Sequence, residues 1–180
     1  RIETPWRAGE TAEVCWRVSL IVPRGEGAIG RTDESALLVG ALPLPAMWEN
    51  GAWRTDAYDE LAGTSYGQAT DVQLTLTVPT GVSAAFGGAW IDEQDNGDGT
   101  KTLTMQLSGA REIAFALRTD GAIRQATVGG VLITALAQNA RTASRLRDAA
   151  ADALEAVEKL GFRYPFSALT VVQAKTGRTD

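Results

Sequence analysis

The chain has 180 residues, 44% hydrophobic and 22% charged, the ordinary balance of a globular protein with a core and unlike a disordered tail. Its net charge is −5, with no run of cations able to follow a phosphate backbone, so nucleic acid is not an expected partner. The apolar stretches, such as Ala36 to Leu44, fall far short of the roughly 20 residues of a membrane helix, so no membrane span is expected.

There are no histidines, so Ser-His-Asp and Cys-His mechanisms are ruled out within these residues. One cysteine, Cys15, allows neither an internal disulfide nor a thiolate zinc cluster, and the redox compartment stays open. Arg1 opens the chain without Met or an apolar signal region, which fits a mature form or, better, an excised piece.

Val14, Trp16, Val18, Leu20 and Val22 recur at every second position, a spacing that predicts a strand with one buried face, ended by Pro23. Arg24 to Arg31 reads as a glycine-rich loop, and Ser35 to Leu44 as a buried strand that stops at Pro43 and Pro45. Asn50-Gly51 between Trp48 and Trp53 predicts a hairpin or at least a tight turn, because both residues tolerate positive φ.

Asp71 to Val78 alternates most cleanly, with Val72, Leu74, Leu76 and Val78 on one face. Ser83 to Ile91, the turn Asp95 to Gly99 and a strand carrying Leu103, Met105 and Leu107 follow as an antiparallel meander, and Ile113, Phe115 and Leu117 repeat the period. Asp120-Gly121 reads as a boundary turn. Strands from Ile123 to Leu136 then precede a helix capped by Asn139, with Ala143, Leu146, Ala150, Ala153, Leu154, Val157 and Leu160 on its apolar side and Gly161 closing it. Leu169 to Val172 is a further strand, and Lys175 to Asp180 a polar tail expected to fray.

The expected fold is therefore mainly β with a small α+β portion: an antiparallel β saddle or sandwich over residues 1–120, then over 121–180 a partial sheet covered by one long helix.

Five motifs bear on chemistry. Gly25-Glu26-Gly27-Ala28-Ile29-Gly30 spells G-x-G-x-x-G, but a strand-like run rather than a helix follows, so a plain loop is expected. Asp92 to Asp98 half fits a calcium loop, yet Leu103 stands where the closing Glu belongs, so a hairpin turn is expected. Tryptophans 6, 16, 48, 53 and 90 suit either a glycan or peptide platform or simple packing, with Trp16 expected in the core and Trp48 and Trp53 packed across their turn. Asp56 with Asp59 or Glu60 reads as a solvated loop, and Cys15 as a small buried or interfacial group.

Several segments in order resemble a known family. They are Leu42 to Pro45, Glu49 to Trp53, Asp71-Val72-Gln73-Leu74-Thr75-Leu76-Thr77-Val78-Pro79, Asn96 to Thr102, Ala110 to Leu117, the long helix, Tyr164-Pro165-Phe166 and Leu169-Thr170-Val171-Val172. Over nearly the whole chain this resembles the zinc aminopeptidase family of the membrane alanyl aminopeptidase type, the gluzincin metallopeptidases. The resemblance implies an N-terminal β saddle over 1–120 and, over 121–180, the incomplete opening of a thermolysin-like catalytic domain.

It also implies a noncatalytic piece that walls and supports the peptide cleft, with the rest of the catalytic domain and the parent's peptide substrate as partners. The G-x-M-E segment, the H-E-x-x-H helix and the further glutamate would all lie after Asp180, so zinc belongs to the parent, and no catalytic, cofactor or metal residue is assigned here. Tyr66-Gly67-Gln68 lacks the family's Ser and Glu, and no aromatic precedes Pro43, departures that suit a divergent or inactive relative. The alternative from a different class is a β-sandwich binding module for a glycan or peptide.

Overall fold

The computed structural model describes residues 7, 9–25, 27–54 and 67–174. The strands are β1 (Ile29–Arg31), β2 (Ser35–Val39), β3 (Trp48–Glu49), β4 (Ala52–Trp53), β5 (Thr70–Pro79), β6 (Ser83–Phe86), β7 (Ala89–Asp95), β8 (Thr100–Ala110), β9 (Ala114–Arg118), β10 (Ala122–Val128), β11 (Val131–Ala137) and β12 (Ala168–Val172). The helix α1 (Ala140–Lys159) joins β11 to β12. The chain is mainly β with a small α+β portion, as its strand periodicities predict.

The architecture follows from which strand faces are apolar. Sheet β5-β8-β7 is antiparallel, and along β5 the apolar residues face inward while Asp71, Gln73, Thr75 and Thr77 are exposed. Opposite it lies sheet β1-β2-β9-β6. Between them Leu38, Val78, Phe86, Leu103, Met105 and Phe115 form the main core. Successive residues of β9 serve different layers: Phe115 enters that core, whereas Ala116 on the other face packs with Ala85 and Leu136. The third sheet, β10-β11-β12, therefore lies against the back of the second, and α1 covers its outer side through Ile133, Val131 and Leu154.

This last unit is a hairpin plus a crossover. β10 and β11 are antiparallel, joined at Gly129-Gly130, where φ values of 55° and 82° suit glycine. β11 and β12 run parallel, which requires a long connection, and α1 supplies it. The Asn139 side chain caps the helix by accepting from the Thr142 N–H at 2.9 Å. At the other end Gly161 N–H donates to Glu158 O and Phe162 N–H to Val157 O, a Schellman closure around a φ of 84°. Asn139→Ala is expected to cost about 1 kcal/mol, read as a lower midpoint in urea; an unchanged midpoint would show the cap to be idle.

Four expectations are corrected. First, the strand expected over Ser35 to Leu44 ends at Val39, with Gly40 at a φ of 67°, and only Leu38 in it is fully buried. Second, Val14 to Val22 is not a strand: Glu10 to Val22 runs without turn, bend or sheet partner, and only Val22 packs against the main core. Alternating side chains create a face, but a strand also needs a neighbouring backbone, and among the described residues none lies beside this segment. Third, Ser83 to Ile91 is no continuous strand of a meander, because the chain changes sheets at Gly87-Gly88, β6 pairing with β9 and β7 with β8. Gly88 permits the crossing: a Cβ there would collide with Gln106 O and stand 2.8 Å from Phe86 Cε1. Fourth, the buried stripe of α1 ends at Leu154, and Ala153, Val157 and Leu160 are exposed.

The turn Asp120-Gly121 passes between the second and third sheets. Arg118 clamps the Asp120 carboxylate with Nε and Nη2 at 2.9 and 3.1 Å, and Ser83 Oγ donates to Gly121 O at 3.0 Å. A Cβ on Gly121 would come within 2.9 Å of both Arg118 Cβ and Leu136 Cδ1, so the position is restricted by space as well as by its place in a turn.

Candidate functional site

The glycine-rich loop is held by its own backbone. Gly25 N–H donates to Arg31 O and Arg31 N–H to Pro23 O, at 3.1 and 3.0 Å, and β1 begins at Ile29, inside the motif. No helix follows Gly30, so no bundle of free amides faces an anion. The hollow beside the loop, between Arg31, Arg118 and Gln173, measures about 30 Å³, room for a water rather than a nucleotide.

The acidic hairpin between β7 and β8 spends its oxygen ligands on the turn. Asp95 Oδ1 accepts from Gly97 N–H at 2.9 Å, and Asp98 Oδ1 accepts from both the hydroxyl and the N–H of Thr100. Asn96 bridges to the Thr100 and Thr102 hydroxyls, and Lys101 Nζ meets Glu93 at 2.9 Å. Hydrogen bonds from the Thr100 side chain and then its backbone hold the Asp98 carboxyl below the usual carboxylate range.

A lowered carboxylate pKa stabilises the turn above its unfolded value, and that contribution disappears as pH falls through the lower folded value. Thr100→Val is expected to move the Asp98 titration, followed by NMR, up toward the ordinary range; an unmoved curve would contradict the assignment.

Of the tryptophans, Trp48 and Trp53 stand directly opposite in the β3-β4 hairpin, rings edge to face with centroids 5.0 Å apart. Asn50 and Gly51, at φ 53° and 82°, make the turn, as their sequence predicts. Both rings remain half-exposed. Trp90 packs on the main core. Trp16 is 47% exposed and not in the core, a correction that follows from the missing sheet partner of its segment. Trp6, Asp56, Asp59 and Glu60 lie outside the described residues.

Cys15 is exposed rather than buried, and its Sγ donates to Glu13 at 3.5 Å. That hydrogen bond and the negative charge of Glu13 push the thiol pKa up, which disfavours the reactive thiolate.

One hollow was not foreseen from the sequence. It measures about 180 Å³ and is lined by Leu42, Leu44, Pro45, Arg54, Arg111 and Glu112. Arg54 reaches Glu49 at 3.1 Å. Two guanidiniums and one carboxylate thus line the hollow. Its residues come from segments some 60 positions apart, so no local spacing announces it.

Among the described residues, no group of three or more Cys, Asp or Glu stands together as a metal-ligand set. With no histidine either, these residues do not fit a zinc site, and no step through zinc is derived for them. Every buried side-chain nitrogen and oxygen among them is hydrogen-bonded; the buried Thr134 hydroxyl, for instance, meets Gln125 Nε2 at 3.1 Å. Among the described residues, no helix is long and apolar enough to cross a membrane.

The most unusual surface is apolar. At the C-terminal end of α1 and in the loop to β12, Leu160, Phe162 and Phe166 are 74%, 67% and 62% exposed, and Tyr164 packs edge to face on Phe166. Each residue of the edge strand β12 is only half-buried. No family model and no curated protein matches the chain.

Proposed function

We propose that this chain is a noncatalytic part of a zinc-dependent aminopeptidase-like metallopeptidase, in which it walls and supports the peptide cleft. The observation that carries the reading is the ordered series of segments from Leu42 to Val172. In the fold these fall on or beside the β3-β4 hairpin, β5, the β7-β8 turn, β9, α1 and β12. The resemblance implies a β saddle followed by opening strands and a helix, and a β-rich part followed by strands and α1 is compatible with that order.

The half-buried edge at β12 and the exposed Leu160, Phe162 and Phe166 add physical support, because a sheet continued by further chain would cover such surface. In this reading the zinc, its ligands and the water-activating glutamate belong to the remainder of the parent. The 180-residue chain is expected to bind no stoichiometric zinc and to release no arylamine from aminoacyl-arylamides. Zinc binding or turnover by this chain would overturn that division of labour.

A second reading rests on the half-exposed rings of Trp48 and Trp53, which suit a glycan or peptide binding module. Titration with glycans and peptides while following tryptophan emission separates the two: saturable quenching lost in Trp53→Ala favours the module, and silence across the panel disfavours it.

A further inference from the structure

We infer that Glu10 to Val22 is a pairing edge for a second copy of this chain, docking antiparallel about a two-fold axis through Cys15. The segment is exposed from Glu10 to Ile21 and contains no turn or bend. Among the described residues, the backbone of Thr11 to Ile21 makes no hydrogen bond, so a row of N–H and C=O groups faces solvent.

Between Glu10 and Val22 there is no Lys, Pro or Gly, Pro23 comes only at the end, and the charges of the segment are Glu10, Glu13 and Arg17. The edge strand β7 carries only acidic charges, the exposed Asp92, Glu93 and Asp95, which would repel a second copy, whereas Glu10 to Val22 carries both signs.

The choice of occupant comes from charge. Paired as a strand, the segment would place Val14, Trp16, Val18 and Leu20 on one side and Glu13, Cys15 and Arg17 on the other. Antiparallel pairing keeps apolar opposite apolar only if the paired residue numbers sum to an even value, because a one-residue slip turns every side chain to the other face. Among such registers only the one centred on Cys15 sets Glu13 opposite Arg17 of the second copy, and Arg17 opposite its Glu13. Centring on Glu13 or on Arg17 would put like charges face to face.

The Cys15 register also sets Val14 opposite Trp16 twice, an aromatic to β-branched pair of the kind that stabilises sheets. The two-fold axis makes the contact self-complementary and closed, so it ends at a dimer.

Sedimentation equilibrium of the 180-residue chain from about 1 to 500 µM tests this. The wild type is expected to shift from monomer to dimer with concentration and to stop there. Glu13→Arg places Arg opposite Arg at both positions and is expected to weaken the dimer about tenfold or more. The double variant Glu13→Arg/Arg17→Glu reverses both pairs and is expected to return within about threefold of wild type. A chain that stays monomeric, one that grows past the dimer, a dimer indifferent to Glu13→Arg, or no recovery in the double variant would each overturn the proposal. The segment lies outside the sheets, so these substitutions leave the core intact, and unchanged far-ultraviolet circular dichroism checks that.

Discussion

Phe86→Ala is expected to lower the unfolding free energy by about 3–5 kcal/mol, the largest effect of any single substitution considered for this chain. The ring is 1% exposed and sits where the first two sheets meet, packed with Leu103, Met105 and Phe115. Both neighbours of the cavity are held in place. Gly88, whose Cα hydrogen is tucked against the ring, is fixed where the chain changes sheets, and the Phe86 carbonyl accepts from Thr170 Oγ1 at 2.6 Å, tying β6 to β12. Little collapse into the void is available, so the cost falls in the upper part of the range for such truncations. Equilibrium unfolding in urea measures it, and a loss under about 1 kcal/mol would mean that the ring is not where the packing puts it.

Leu136→Ala is expected to cost about 2–5 kcal/mol, and it probes a different junction. Leu136 is fully buried against Ala85 and Ala116, so it joins the third sheet to the back of the second. All five tryptophans precede residue 91, whereas α1 dominates the helical circular dichroism, so two probes watch the two sides of that junction. Layers that share a buried cluster unfold together, and both probes are expected to move to the same lower midpoint. A helix signal that shifts while tryptophan emission stays put would contradict the joint packing.

The parts of the fold legible from sequence are those decided by one strand or one helix end. β5 and β8 each bury one face, and Val72, Leu74, Leu76 and Met105 fall where period two puts them. Asn139 and Gly161 mark the ends of α1 because capping is chemistry within a few residues. Asn50-Gly51 sets its turn for the same reason.

What depends on distant neighbours was not legible. Trp16 and Val18 alternate as strand residues do, but no local pattern shows whether another backbone lies alongside. The change of sheet at Gly87-Gly88 needs Gln106 and Phe86 brought close from different strands. The exposure of Val157 and Leu160 depends on what packs against that part of the helix, and the helix period carries no information about that.

At the level of sites, the bland expectation for the acidic hairpin agrees with Asp95 and Asp98 serving their own turn. The hollow beside Arg111 went unseen because Arg54 and Arg111 meet only in the folded chain.

The most direct test of the peptidase reading is the nucleotide sequence of the source reading frame beyond the codon for Asp180. The reading predicts a G-x-M-E segment close behind, then H-E-x-x-H with a later glutamate, the ligands and base that the described residues do not supply. A frame that continues without these motifs, or stops before them, would contradict it.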